Sequence, residues 1–292
     1  MIDLHSHSSA SDGVLTPEEA AGHAVQKKLL AWALTDHDTV DGLSGAARAC
    51  AKSGSPVIFV PGIEVSIRWP SGEFHLLGLG LRSYSDELRS LTDNLSENRR
   101  NRNLEIVENM NRDGIDVTLE EIESLFPTKQ LGRPHFASYL VQIKKVRCVQ
   151  EAFNRYLGKG RPYYVKNEGE DLDVAVEAIK SAGGVPVIAH PLSLHVSRGK
   201  MTETIVRIRS HGVEGMEAWH PSSRVGECFN LERLAKSLGM FVTAGSDFHG
   251  KSVRADRHLG RTSGDRKISD RFWNEELAPR LGDFDYKKTV WS

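Results

Sequence analysis

The residues able to hold a cation are scattered over almost the whole chain. His5 and His7 stand one residue apart in DLHSHSSASDG, and Asp12 follows in the same stretch. Further along come Asp36-His37-Asp38, Glu64, His75, His190 and Asp247-Phe248-His249. A His-x-His pair on an extended segment turns both rings to one side, where they can chelate one ion. Taken singly, the others have ordinary readings. His190 in VIAHP suits a satisfied core histidine, Asp12-Gly13 suits a turn, and Asp-His-Asp suits a polar loop. Their joint placement favours a metal site over separate coincidences.

That placement follows from the elements around them. Ile2 to His5 reads as a strand, and Thr16-Pro17-Glu18-Glu19 as a helix start with Thr as cap, Pro in the first turn and acids at the positive end of the dipole. Leu29 to Thr35 reads as a buried strand, Gly42 to Lys52 as a helix and Pro56 to Ile67 as β-rich, with Pro70-Ser71-Gly72 the turn of a hairpin. Strands recur at 185–190, 212–219 and 240–247, separated by helices. His5, the Asp36–Asp38 run, Glu64, His190 and the Asp247–His249 run thus fall at or just past strand C-terminal ends, and His75 returns on the hairpin. In a barrel those ends meet on one rim, where active sites lie. The predicted architecture is α/β, a mainly parallel sheet or barrel covered by helices. Between them, residues 83–167 are polar and helical: a long helix ending at Gly114, a helix capped by Thr118 with Glu121 completing a capping box, and helices at 134–142 and 149–156. We read 1–82 and 168–292 as a discontinuous barrel and 83–167 as a helical insertion.

Bulk properties narrow the function. The chain has 292 residues and a formal net charge of −1, which does not suit a broad grip on duplex DNA. No stretch suits a transmembrane helix and no secretory leader is visible. The three cysteines form no CxxC pair and fit a reducing cytoplasm. Neither a GxSxG elbow nor a GxxxxGK[ST] phosphate loop occurs.

The strings DLHSHSSASDG, LTDHDTVDG, GIEVS, FHLLG, VIAHP and GSDFHG, in this order over residues 3–250, resemble the PHP (polymerase and histidinol phosphatase) family of metal-dependent phosphoesterases. The resemblance is strongest to stand-alone members with a helical insertion and an RPHF-like segment, some of which are nucleoside 3′,5′-bisphosphate phosphatases and 5′→3′ exoribonucleases. It implies a distorted (β/α)7 barrel. It also implies three divalent cations: His5, His7 and Asp247 would hold one, with Glu64 bridging to a second completed by His75 and His190, while Asp12, His37 and His249 would hold a third. Such a ligand set suits Mn, Fe or Zn. The expected nucleophile is a metal-bound hydroxide held by Glu64, His190, Asp247 and His249, and one of Asp36 or Asp38 is expected to orient a liganding imidazole, unless Asp38 caps the next loop.

Candidate substrate contacts are Arg133 and His135 in LGRPHF, and Lys159 and Arg161 in LGKGRPYYV; glycine beside a basic residue allows close approach to an anion, and arginine can grip phosphate with two bonds. The run SENRRNRN reads as a solvated helix face, with RNA contact the lesser alternative, and Trp219-His220 either meets a base or sugar or packs the rim. His23, His195, His211 and His258 match no motif. The expected substrate is a nucleotide or short single-stranded oligonucleotide. The alternatives are a phosphatase for a small metabolite such as histidinol phosphate, and a non-catalytic metal-bearing regulatory module.

Overall fold

The computed structural model of the chain describes every residue except 53, 55, 71, 127, 129, 167, 168 and 292. Part of the expected hairpin turn, Ser71, and the boundary at 167 and 168 therefore lie outside the described residues. Helix α1 (Pro17–Gln26) begins at the expected capping box, in which Thr16 accepts the Glu19 amide and Glu19 accepts the Thr16 amide. Strand β1 (Ala31–Leu34), helix α2 (Leu43–Lys52) and the hairpin β2 (Ile58–Trp69) and β3 (Gly72–Leu79) follow. All four residues of β1 are buried, so it reads as an apolar run without alternation.

The insertion starts with α3 (Asp86–Arg112), capped by Ser85, and continues through α4 (Leu119–Ser124), α5 (Arg133–Gln142) and α6 (Val149–Ala152), which runs on as a π-helical turn over Phe153–Leu157. The long helix serves two cores. Leu88, Leu91 and Leu95 pack into the barrel core, whereas Ile106, Val107 and Met110 pack with Phe136, Leu140 and Tyr163 in a separate one. The alternation then resumes with α7 (Leu172–Ser181), β4 (Val185–Ile188), α8 (Arg198–Ser210), β5 (Gly215–Trp219), α9 (Val225–Ser237) and β6 (Phe241–Ala244).

The six strands lie in the order β1-β2-β3-β4-β5-β6. The pairs β1/β2, β4/β5 and β5/β6 are parallel, while β3 runs antiparallel to both its neighbours. The N-terminal segment, expected as a strand, forms no continuous ladder. Isolated bridges join Asp3 to Trp32 and Ser6 to Phe248. It is wedged between the two edges: the Asp3 amide donates to Ala31 (3.0 Å) and the Asp247 amide to His5 (2.9 Å). Asp3 turns its carboxylate back onto the backbone, where it accepts the amides of His5, Ser246 and Gly260. Burial pushes this carboxyl up to about 6. Six strands and this seventh stave curl the sheet toward a barrel, as the (β/α)7 reading expects. Among the described residues no helix is long and apolar enough to cross a membrane.

Candidate metal centre

The chain turns sharply where the strands end, and these turns aim the polar side chains. His190 (φ 26°) follows β4 and Asp247 (φ 52°) follows β6, both with positive φ, as has Asp38 (φ 56°) after β1. Such conformations in non-glycine residues are costly and concentrate at functional sites. Gly245 allows a close approach: a Cβ there would collide with the His5 side chain and lie 2.7 Å from Glu217 Oε1.

Glu64, fully buried near the middle of β2, is the hub. His75 Nδ1 and His190 Nε2 each lie 2.8 Å from its Oε1. Around its Oε2 stand His5 Nε2 at 3.3 Å, His7 Nε2 at 3.2 Å and His37 Nδ1 at 3.1 Å. Asp247 Oδ1 lies 3.4 Å from His7 Nε2 and 3.7 Å from His5 Nε2. Asp12 closes the other side, 3.2 Å from His249 Nε2 and 3.9 Å from His37 Nε2. All nine residues expected to ligate thus converge. Three subsets bring their donor atoms within 4.8 Å of one another: His7 with Asp12, His37 and His249; His5 with His7 and Glu64; and His37 with Glu64 and His75.

These donors suit divalent cations. Despite the crowding, Glu64 Oε2, His7 Nδ1 and His37 Nδ1 are buried without a hydrogen-bond partner, an arrangement native proteins avoid unless another group completes it. Outer partners fix two rings in the orientation a ligand needs. His5 Nδ1 donates to Glu217 Oε1 at 3.1 Å, and His249 Nδ1 to the Asp247 carbonyl at 2.9 Å, so each Nε2 faces inward. Burial opposes every charge here, yet opposite charges win for most of the groups. Burial would lower His5, but Glu217 and Glu64 hold it well above the usual histidine range; His7, likewise buried, is carried to about 10 by Asp247 and Glu64. Glu64, Asp12 and Asp247, which burial would raise, are held well below the carboxylate range by the imidazoles. For His37 burial prevails and brings it to about 3. The carboxylates stay ionised because positive charge lies among them, and a divalent cation supplies that charge compactly.

Two further residues stand at the site: Glu217, which the sequence did not single out, and His220, which was expected to meet a base or sugar or to pack the rim. Glu217, in the middle of β5, accepts His5 Nδ1 with one oxygen and the His190 amide (2.8 Å) with the other. His220, just after the same strand, brings Nε2 within 3.3 Å of Asp247 Oδ2. A carboxylate inside the apolar run GMEAW was the available signal, since such a strand is buried on both faces. The bonds of Asp36 and Asp38 run away from the liganding rings. Asp36 accepts the Ser8 amide and the hydroxyls of Ser8 and Ser11, fixing the loop between His7 and Asp12. Asp38 accepts the Ser66 amide and pairs with Arg99. Arg99 and Arg102 are therefore buried, not part of a solvated helix face: Arg102 donates to the Leu131 carbonyl at 3.0 Å.

Two larger clefts open on the centre. One of about 670 Å³ passes from Asp12, His37 and Asp247 to Val149 and Phe153 of the insertion. The other, of about 630 Å³, runs from His75 and His190 to Arg133, Lys159, Tyr164 and Lys166. Of the four expected substrate contacts, Arg133 and Lys159 line the second cleft. His135 is turned inward, its Nδ1 accepting the Gly132 amide at 2.9 Å, and Arg161 is exposed without lining either cleft.

Residues 3–160 match the family model of the PHP domain. The chain is 35% identical over 247 residues to a 5′-3′ exoribonuclease of Haemophilus influenzae, covering 85% of this chain and 89% of that one. It is 32% identical over 288 residues to a 3′,5′-nucleoside bisphosphate phosphatase of Chromobacterium violaceum, covering 97% and 99%. The solved structure of a protein of Bifidobacterium adolescentis, described as a metal-dependent phosphoesterase, superposes with a TM-score of 0.82 at 26% identity over 95% of each chain.

Proposed function

The chain belongs to the PHP domain family, and from that premise we propose that it hydrolyses phosphate esters of nucleotides with divalent cations held around Glu64. The observation that carries this reading is the convergence of the buried imidazoles and carboxylates on Glu64, with basic side chains one cleft away. We assign three cations: one to His5, His7, Glu64 and Asp247, one to Glu64, His75 and His190, and one to Asp12, His37 and His249. Mn, Fe and Zn all suit these ligands. When bound, such ions lower the pKa of a water and polarise a phosphoryl group.

The remaining work falls to the chain. Glu217 and the Asp247 carbonyl keep His5 and His249 in the ligating tautomer. Ser8 and Ser11, pinned by Asp36, leave a small-residue loop beside the place where a phosphate enters. Arg133 and Lys159 offer charge to a second phosphate, and the Tyr164 ring, with the Arg133 guanidinium 5.3 Å from its centre, offers a surface to a sugar or base. A substrate with two phosphates a nucleoside apart uses both the metal centre and the basic cleft; a small mono-phosphate uses the first alone.

The test compares phosphate release from adenosine 3′,5′-bisphosphate and from histidinol phosphate, for the wild type and for Arg133→Ala. The bisphosphate should be the better substrate. The substitution should raise its KM by about tenfold or more, the cost of one charged hydrogen bond, and change turnover of an aryl phosphate less. Faster hydrolysis of histidinol phosphate, or an equal effect of Arg133→Ala on both classes, counts against the nucleotide assignment.

A further inference from the structure

A nucleoside bisphosphate fills the metal centre and the basic cleft and leaves the other large cleft empty. Both clefts reach His75 and His190, so they meet at the centre and part from it. Their linings differ in charge. Arg133, Lys159 and Lys166 give the second cleft three cations, with no carboxylate among the described residues that line it. Among the described residues of the first cleft, the charges outside the proposed ligands are Arg254 and Asp256, whose side chains approach to 3.5 Å and offset each other. Val149, Phe153 and Val253 add apolar surface, and Gln150, whose Nε2 donates to Asn154 Oδ1 at 3.0 Å, adds an uncharged amide. Phe153 opens the π-helical turn that follows α6, closed by the Gly158 amide donating to the Phe153 carbonyl at 2.8 Å. Turns of this kind occur frequently at functional sites.

A phosphomonoester carries one organic arm on its phosphorus. A phosphodiester carries two, and a site must lead them away in different directions. We propose that the first cleft seats this second arm, a nucleoside joined to the scissile phosphate through its 5′-oxygen, with its base against Phe153, and that the centre thereby opens a 5′-phosphorylated dinucleotide. The inference rests on the nucleotide reading above and adds which bond breaks. The first nucleoside lies in the basic cleft with its 5′-phosphate on Arg133 and Lys159 and its 3′-oxygen toward the centre. Water adds to the phosphorus and the P–O3′ bond breaks. The electron pair of that bond stays on O3′, which takes up the proton the water gives up. The products are a nucleoside 5′-phosphate and a second nucleoside that keeps the scissile phosphate on its own 5′-oxygen. With the first cleft empty, the same displacement turns a nucleoside 3′,5′-bisphosphate into a nucleoside 5′-phosphate and inorganic phosphate. A charge-balanced wall suits this arm because both phosphates are met elsewhere, and an aromatic face accepts any base.

Hydrolysis of 5′-phosphorylated diadenosine and of adenosine 3′,5′-bisphosphate would be followed for the Mn²⁺-loaded wild type, Phe153→Ala and Phe153→Trp, with the products separated by chromatography. The wild type should convert the dinucleotide to adenosine 5′-phosphate alone. Phe153→Ala should raise the KM for the dinucleotide about 5- to 150-fold more than the KM for the bisphosphate, the worth of one base stacked on an aromatic ring. Phe153→Trp, which keeps an aromatic face, should stay near wild type on both. Calorimetric affinity for the dinucleotide with a methylene in place of the bridging O3′, which cannot be hydrolysed there, should fall by the same factor in Phe153→Ala. Unchanged affinity in that variant, or an equal rise in KM for both substrates, would overturn the proposal. So would adenosine and adenosine 3′,5′-bisphosphate as products of the dinucleotide, because they require the other ester bond to break, or a wild type that cleaves the bisphosphate and leaves the dinucleotide intact. A wild type inert on both substrates would overturn the nucleotide reading itself.

Discussion

Glu64 is where the account is most exposed at the scale of a single residue. Five imidazoles lie within 3.3 Å of its two oxygens, and one of those oxygens is buried without a hydrogen bond. Glu64→Gln keeps the shape and removes the charge. Metal affinity and turnover should both fall further than the about 10–100-fold that loss of an outer partner costs, because a bridging ligand serves two ions. Metal content by elemental analysis and phosphate release check this, and wild-type turnover would refute the hub assignment. Most of the nine converging residues were legible because they stand at or just past the ends of predicted strands, whereas Asp12 and His75 were legible only through the family's motifs and Glu64 lies inside β2 and not at its end. Glu217 was not, since one acid within GMEAW does not reveal that His5 and His190 both lean on it. His220 was visible as a rim histidine, but its approach to Asp247 was not.

Elements explain what the composition of the insertion concealed. The helix α3 reads as amphipathic with SENRRNRN on its solvated face, yet Arg99 and Arg102 are buried. Arg99 pairs with Asp38, whose loop also carries His37, so the helix braces the turn of a proposed ligand. Burial would raise the Asp38 carboxyl, but Arg99, His37 and the Ser66 amide hold it below its usual value. A carboxyl depressed in the folded state stabilises at pH values above its unfolded pKa of 3.8 and loses that contribution as the pH falls through its folded value. Arg99→Met strands the buried charge and should cost about 3–5 kcal/mol at neutral pH, measured by urea denaturation. A cost under about 1 kcal/mol, the range of an exposed pair, would contradict the bracing role. Capping boxes at Thr16 and Thr118 were legible because their chemistry is local. The bonds of Asp3 to the Ser246 and Gly260 amides were not, because they join residues from opposite ends of the chain.

Across the whole molecule, the fold closes a loop between its two ends: the N-terminal stave lies between β1 and β6 and brings His5 and His7 against Asp247 and His249. The two cores share α3, so the insertion hangs over the same rim and supplies the basic cleft. That Arg133 and Lys159 stand beside the histidine cluster was readable from LGRPHF and LGKGRPYYV. The inward turn of His135 was not, because it depends on the local cap at Gly132. The central claim is that the barrel rim hydrolyses a nucleotide phosphate ester only with divalent cations in place. The direct measurement is phosphate release from adenosine 3′,5′-bisphosphate by protein stripped with a chelator and then reloaded with Mn²⁺. The account predicts loss of turnover on stripping and its return on reloading; undiminished turnover by the stripped protein would contradict it.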